Sequence, residues 1–218
     1  MTAEITPTDR TAVRRLPKRG VYDRDAVYAI LDEALIAHVG FVIDGAPVVI
    51  PTIHWRDGDR LYLHGSVASR MLRTLKQGVE TCVTVTLLDG LVLARSAFHH
   101  SMNYRSVVVM GTAVEVTDRE EKVRAFERLV EHVVPGRSAD VRPPNEAEIR
   151  GTLVLSLPID EASAKVRAGG PSDDDEDYAL PIWAGVVPLT MRAEPPIDDE
   201  RLMEGVKTPA YASRYTRS

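Results

Sequence analysis

A chain of 218 residues and 24.1 kDa, 44% hydrophobic and 27% charged, makes one large domain or two small ones. Its formal net charge of −5 argues against a binder that draws its affinity from neutralising many phosphates, so no nucleic-acid partner is expected, while a local basic pocket stays compatible with it. No apolar run approaches the roughly 20 residues that span a bilayer, so no membrane partner is expected either. The single cysteine, Cys82, cannot close an internal disulfide, and residues 1–15 lack an apolar signal region. Both point to a reducing, cytoplasmic location.

Residues 1–22 are polar, with Arg14, Arg15, Lys18 and Arg19 close together and no periodicity, and are expected to form an N-terminal arm. Asp23 is a good N-cap. After it, Ala26, Val27, Ile30, Leu31, Ala34 and Leu35 fall at helical spacing and predict a helix from Arg24 to Ala37. Val39–Ile43 and Pro47–Trp55, joined by Asp44-Gly45, predict a hairpin, and Asp57-Gly58-Asp59 leads to a third strand at Arg60–His64. A short helix is expected within Ser66–Lys76, because Met71, Leu72 and Leu75 take helical spacing. Strands follow at Glu80–Leu87, Leu91–Phe98 and Arg105–Thr117, the first two joined by a hairpin turn at Leu88-Asp89-Gly90. Asp118 caps a second amphipathic helix carrying Val123, Phe126, Leu129, Val130 and Val133. A helical turn is expected at Glu146–Arg150, and strands at Thr152–Leu157 and Ser163–Arg167. Seven or eight strands in antiparallel-compatible order indicate a mainly β, nearly closed barrel over residues 23–190. Residues 191–218 form a polar tail, and residues 172–177 a solvated acidic loop.

Three places concentrate chemistry. In His64-Gly65-Ser66-Val67-Ala68-Ser69-Arg70, a strand opens into a helix with two hydroxyls, a guanidinium and free N–H groups around one point, which suits a phosphate. An ordinary serine-capped helix explains the same residues. The block from Arg95 to Ser106 packs His99, His100, Asn103, Tyr104 and Arg105 into a strand join. On extended backbone its two histidines diverge, so no metal site is expected there. Trp183, alone in the apolar run Pro181–Leu189, is a core or interface anchor or a wall for a planar ligand, and Cys82 is a small buried hydrophobe. No Gly-x-Ser-x-Gly elbow is present.

The helix, the hairpin Val39–Trp55, the His64-Gly65-Ser66-x-x-Ser69-Arg70 turn, the Ala94–Val107 block and the late Trp183-Ala184-Gly185-Val186-Val187-Pro188-Leu189 run together resemble the pyridoxamine 5′-phosphate oxidase-like FMN-binding split barrels. The nearest branch is the flavin-nucleotide-binding subgroup that includes nitroimidazole-resistance reductases. The resemblance covers roughly residues 14–190. It implies a six-stranded antiparallel split β-barrel with flanking α-helices, a homodimer with FMN at the subunit interface, and hydride transfer between flavin N5 and a small planar or conjugated substrate. It places the phosphate against His64, Gly65, Ser66, Ser69 and Arg70 and the isoalloxazine edge along Val49, Ile50, Pro51 and Thr52. Asn103, Tyr104, Arg105, Ser106 and Trp183 become further contacts; by chemistry alone, Tyr104 and His100 are the proton-donor candidates. The Arg-Leu-x-Pro ending of the vitamin B6 oxidases is missing from Pro188–Ser218, so that substrate is not implied. Rival expectations are a non-catalytic flavin store or sensor, a haem-utilising barrel, and the deazaflavin F420 in place of FMN.

Overall fold

The computed structural model describes residues 4–217. The Asp23 carboxylate accepts from Ala26 N and starts Arg24–Glu33 (α1), whose buried stripe is Val27, Ile30 and Leu31. The helix ends before the predicted Ala37 because Ile36–Ile43 (β2) already alternates its side chains. Asp44 and Gly45 both take positive φ, 50° and 77°, and return the chain as Ala46–Asp57 (β3), with the twist a two-residue hairpin needs. Arg60–Ser66 (β4) and the short helix Arg70–Leu75 (α2) follow, the latter capped by Ser69 Oγ accepting from Leu72 N.

The hairpin expected at Leu88-Asp89-Gly90 does not form. Glu80–Leu93 (β5) is one strand with a bulge between Leu88 and Gly90 where it pairs with Ser101–Thr112 (β6), and Ala97–His99 is a 3-10 turn. Glycine at position 90 serves proximity instead. Gly185–Pro188 (β10) lies so close on β5 that a Cβ there would sit 3.1 Å from the Val187 carbonyl oxygen.

The span predicted as Arg105–Thr117 begins earlier and divides, Val114–Glu115 (β7) leaving for a different neighbour. Arg119–Val133 (α3) and Glu146–Gly151 (α4) are capped by Asp118 and by an Asn145/Glu148 capping box. Thr152–Pro158 (β8) and Glu161–Arg167 (β9) close the domain. Gly20–Val21 (β1) adds to β9, and Ala210–Ser213 forms α5.

The antiparallel order is β1-β9-β6-β5-β2-β3-β4-β8-β7, with β10 on β5. Among the described residues ten strands appear where seven or eight were expected, because β1, β7 and β10, of 2, 2 and 4 residues, are too short to show periodicity. β8 and β9 are consecutive in sequence yet pair with β4 and β6 respectively, so the barrel is split between them. Val39, Leu61, Val83, Val107 and Leu155 fill the barrel. A second core of Trp55, Tyr62 and Val154 lies outside it, under Ala125, Phe126 and Leu129 of α3.

Both ends of the described span are anchored. Ile5 is buried, and Arg10 pairs with Glu161 and, at 2.6 Å, with Glu80. The Arg217 guanidinium donates to the Asp32 and Glu33 carbonyls, both at 2.6 Å, satisfying the open C-terminus of α1. Among the described residues no helix is long and apolar enough to cross a membrane.

Candidate functional site

β3 is shared unequally. Residues 46–53 pair with β2 along one edge, but only His54–Asp57 pair with β4 along the other. Beyond His54 the two strands part, so half of β3 offers backbone donors and acceptors that no strand claims. β4 leaves β3 there and runs on along β8 to Ser66, where the β4–α2 turn begins. There Ser66 Oγ accepts from Ala68 N, Ser69 N donates to Ser66 O, and Val67 N donates to Gly151 O. The Arg70 and Met71 N–H groups remain the open donors of the first helical turn. Arg70 itself has no ion-pair partner among the described residues. Gly65 packs tightly: a Cβ would come within 3.1 Å of Leu72 Cδ1.

His64, near the end of β4, is half-buried, its ring edge against Trp55 at 5.6 Å between centroids, and burial lowers its pKa, favouring neutral imidazole. Its Nδ1 is buried without a partner, as is Trp55 Nε1. Strand alternation sends Val49 and Pro51 to the outer face and Ile50 to the barrel core. Opposite Pro51 across the ladder stands His38, on the same outer face and unpaired among the described residues. Sequence reasoning passed over His38. Its position in an alternating strand, between outward Ile36 and Gly40, was the available signal.

The second block divides. Tyr104 and Ser106 alternate onto the outer face of β6, and Ser106 Oγ donates to Lys165 O at 3.3 Å. Asn103 and Arg105 point the other way. Asn103 accepts from Arg167, and Arg105 is held by two carboxylates, Glu33 and Asp89, whose hydrogen bonds raise its pKa. Arg105 is therefore engaged inside its own chain. Arg105→Ala is expected to cost about 1–3 kcal/mol of stability in urea unfolding, because it leaves Glu33 and Asp89 facing each other without a cation; no separate change in ligand affinity should accompany it.

His100 turns Nδ1 to the Ser96 carbonyl at 3.0 Å. The acidic loop is docked where a solvated one was expected: the buried Asp173 carboxylate accepts from Arg95 N at 2.9 Å and from the Arg95 guanidinium at 3.1 Å, and His99 meets Asp174 at 3.3 Å. Trp183 is 67% exposed, which sets aside a core role within this chain, and its ring lies 2.9 Å from where a Cβ on Gly185 would stand. Cys82 is half-buried on the outer face of β5, with burial raising its pKa. A groove of about 770 Å³ between the tail and the end of α3, lined by Val133, Ile197, Tyr211 and Tyr215, contains none of the predicted residues.

The family described as pyridoxamine 5′-phosphate oxidase matches residues 23–166. The flavocytochrome Anf3 from Azotobacter vinelandii is 45% identical, with 95% of this chain and 96% of that one covered and a TM-score of 0.90. An FAD and haem binding protein from Mycobacterium smegmatis is 38% identical over 88% of this chain and 95% of that one, with a TM-score of 0.85. A chain described as a 5-nitroimidazole antibiotic resistance protein from Bacteroides thetaiotaomicron is 25% identical over 67% of this chain and 86% of that one, with a TM-score of 0.57. Among curated proteins no sequence matches.

Proposed function

The chain belongs to the pyridoxamine 5′-phosphate oxidase family, and from that premise we propose that it is a flavin-dependent oxidoreductase that also holds haem, working as a homodimer. The observation that carries this is the divergence of β4 from β3: it leaves an unclaimed strand edge on β3 and ends in a turn with an unpaired arginine, two serines and two open N–H groups. That donor set fits the FMN half of a flavin, whether FMN or FAD. Arg70, Ser66 and Ser69 would hold its phosphate, and the edge at Val49–Thr52 the polar side of the ring. Bound there, the flavin supplies hydride transfer at N5 and the haem one-electron transfer. Burial favours the neutral form of His64, and Tyr104 and His100 are the proton-donor candidates.

For the haem, burial and sheet face narrow the choice of histidine. His54 and His132 bond the carbonyls of Leu31 and Ala34, His99 pairs with Asp174, and His100 is turned to Ser96. Among the described residues His38 makes no hydrogen bond, and His64 Nδ1 is buried without a partner, as is Nδ1 of the fully buried His54; of these, His38 and His64 belong to the outer side of the sheet. On that side Ile36, Val42 and Val49 are 51%, 50% and 64% exposed, an apolar surface that a second subunit would cover.

Protein purified in the presence of FAD and haemin is expected to show both flavin bands and a Soret band. His38→Ala or His64→Ala should shift the Soret band while the flavin stays bound, and added imidazole should restore it. A colourless protein that takes up neither group contradicts the proposal.

A further inference from the structure

At the far end of the outer face, the N-terminal arm crosses β6 and β9 and closes a socket of about 240 Å³. Arg10 pins the arm there through Glu161 and Glu80. Around the socket the remaining cations are unpaired or paired only at the surface. Arg14 meets only the fully exposed Asp9, and Arg15 and Lys165 have no acidic partner among the described residues. Ser163, almost wholly buried, and Ser106 line it with hydroxyls. The β1–β9 ladder sets Gly20 opposite Lys165, which brings Arg19 alongside. Arg167 also feels Arg19: its pKa is lowered, first by burial and then by that like charge, and its Nε is buried without a partner. A chain of net charge −5 thus gathers unneutralised cations around one concave, hydroxyl-lined place. Repulsion of that kind is relieved by a bound anion, and the volume admits a phosphoryl group with part of a ribose.

We propose that this socket binds the adenosine phosphate of a nicotinamide dinucleotide that donates electrons to the flavin, an inference that rests on the flavin assignment above. Position selects this ligand. A nicotinamide over the ring site on β3 and β2 stands three to four strand spacings from β9, about 14–19 Å, a span that an extended dinucleotide covers. A flavin whose phosphate lies at Ser66 in the same chain keeps its own pyrophosphate at the opposite end of the face. In the transfer the nicotinamide C4–H bond breaks and the flavin N5–H bond forms, the electron pair moving with the hydrogen, so the nicotinamide is oxidised and the flavin reduced.

Calorimetric titration of the full-length, flavin-loaded protein with adenosine 2′,5′-bisphosphate tests the socket without turnover. Wild type is expected to bind, and Lys165→Glu and Arg15→Glu each to weaken binding roughly ten-fold to a hundred-fold. In reduction by NADPH both variants should raise the half-saturating concentration and leave the limiting rate unchanged. If wild-type, flavin-loaded protein binds no bisphosphate, or both variants bind it as wild type does, the socket assignment is overturned while the flavin assignment stands. If the variants lose flavin and keep donor affinity, the socket serves a cofactor phosphate and the donor proposal fails. A wild type that takes up no flavin overturns the underlying function instead.

Discussion

Arg70→Ala is expected to weaken flavin binding roughly ten-fold to a hundred-fold, the loss of one charge-assisted contact worth about 1.5–3 kcal/mol. Arg73→Ala should change it little. Both arginines lie on α2, and neither has an ion-pair partner among the described residues, so surface charge alone does not separate them. Position does. Arg70 is the first residue of the helix, beside the Ser66 and Ser69 hydroxyls where β4 gives way to α2, whereas Arg73 is in the last turn. Fluorescence titration of the apoprotein with FMN and FAD reads the difference. Equal, small losses in the two variants would remove the phosphate from this turn.

Acid should destabilise the fold well before its carboxylates titrate. His54 is fully buried with Nε2 3.0 Å from the Leu31 carbonyl oxygen, and its ring lies 5.3 Å from that of His132, whose Nε2 meets Ala34 O at 3.1 Å. Burial first, then His132 and Arg217, lower His54 to about 4, against the opposing pull of Leu31 O and Asp32. Burial and Arg217 lower His132 to about 4 as well, Ala34 O and Asp32 opposing.

With the folded pKa depressed, the unfolded chain binds more protons between pH 4 and the ordinary histidine value of 6.5. Stability therefore rises with pH across that window and is lost as pH falls through it. For His54 alone the full effect is roughly 3 kcal/mol. The paired carboxylates, Glu148 at about 2 among them, act only lower. Urea midpoints at pH 7 and pH 5 should differ clearly in the native chain, and the difference should shrink in His54→Leu. Identical slopes in the two chains would place the acid sensitivity elsewhere.

How much of this was legible in the sequence depends on the range over which each signal acts. Caps and local periodicity were readable: Asp23, Asp118 and the Met71/Leu72/Leu75 set each start or bury the helix they predict, and Asp44-Gly45 makes its hairpin. Asp89-Gly90 offers the same two residue types as a turn and yields a bulge instead. Its role comes from β10, whose Val187 lies 97 residues from Gly90, and from Arg105, 16 residues from Asp89, and no local pattern encodes those neighbours. The β4–α2 turn was found because its donors are contiguous in the chain. The exit of β4 from β3 at His54, which opens the site, is a property of strand pairing, and so is the position of His38 across from Pro51. Arg105 shows the converse limit: its residue type suited a ligand, and Glu33, 72 residues away, engages it instead.

The most direct measurement is anaerobic reduction of the purified, cofactor-loaded protein followed by absorbance. On adding a reduced nicotinamide donor, the flavin bands should bleach and the haem bands then shift to the ferrous form, and admitting oxygen should restore both. Bound flavin and haem that neither respond to a donor nor recover with an acceptor would contradict an oxidoreductase and leave a binding protein in its place.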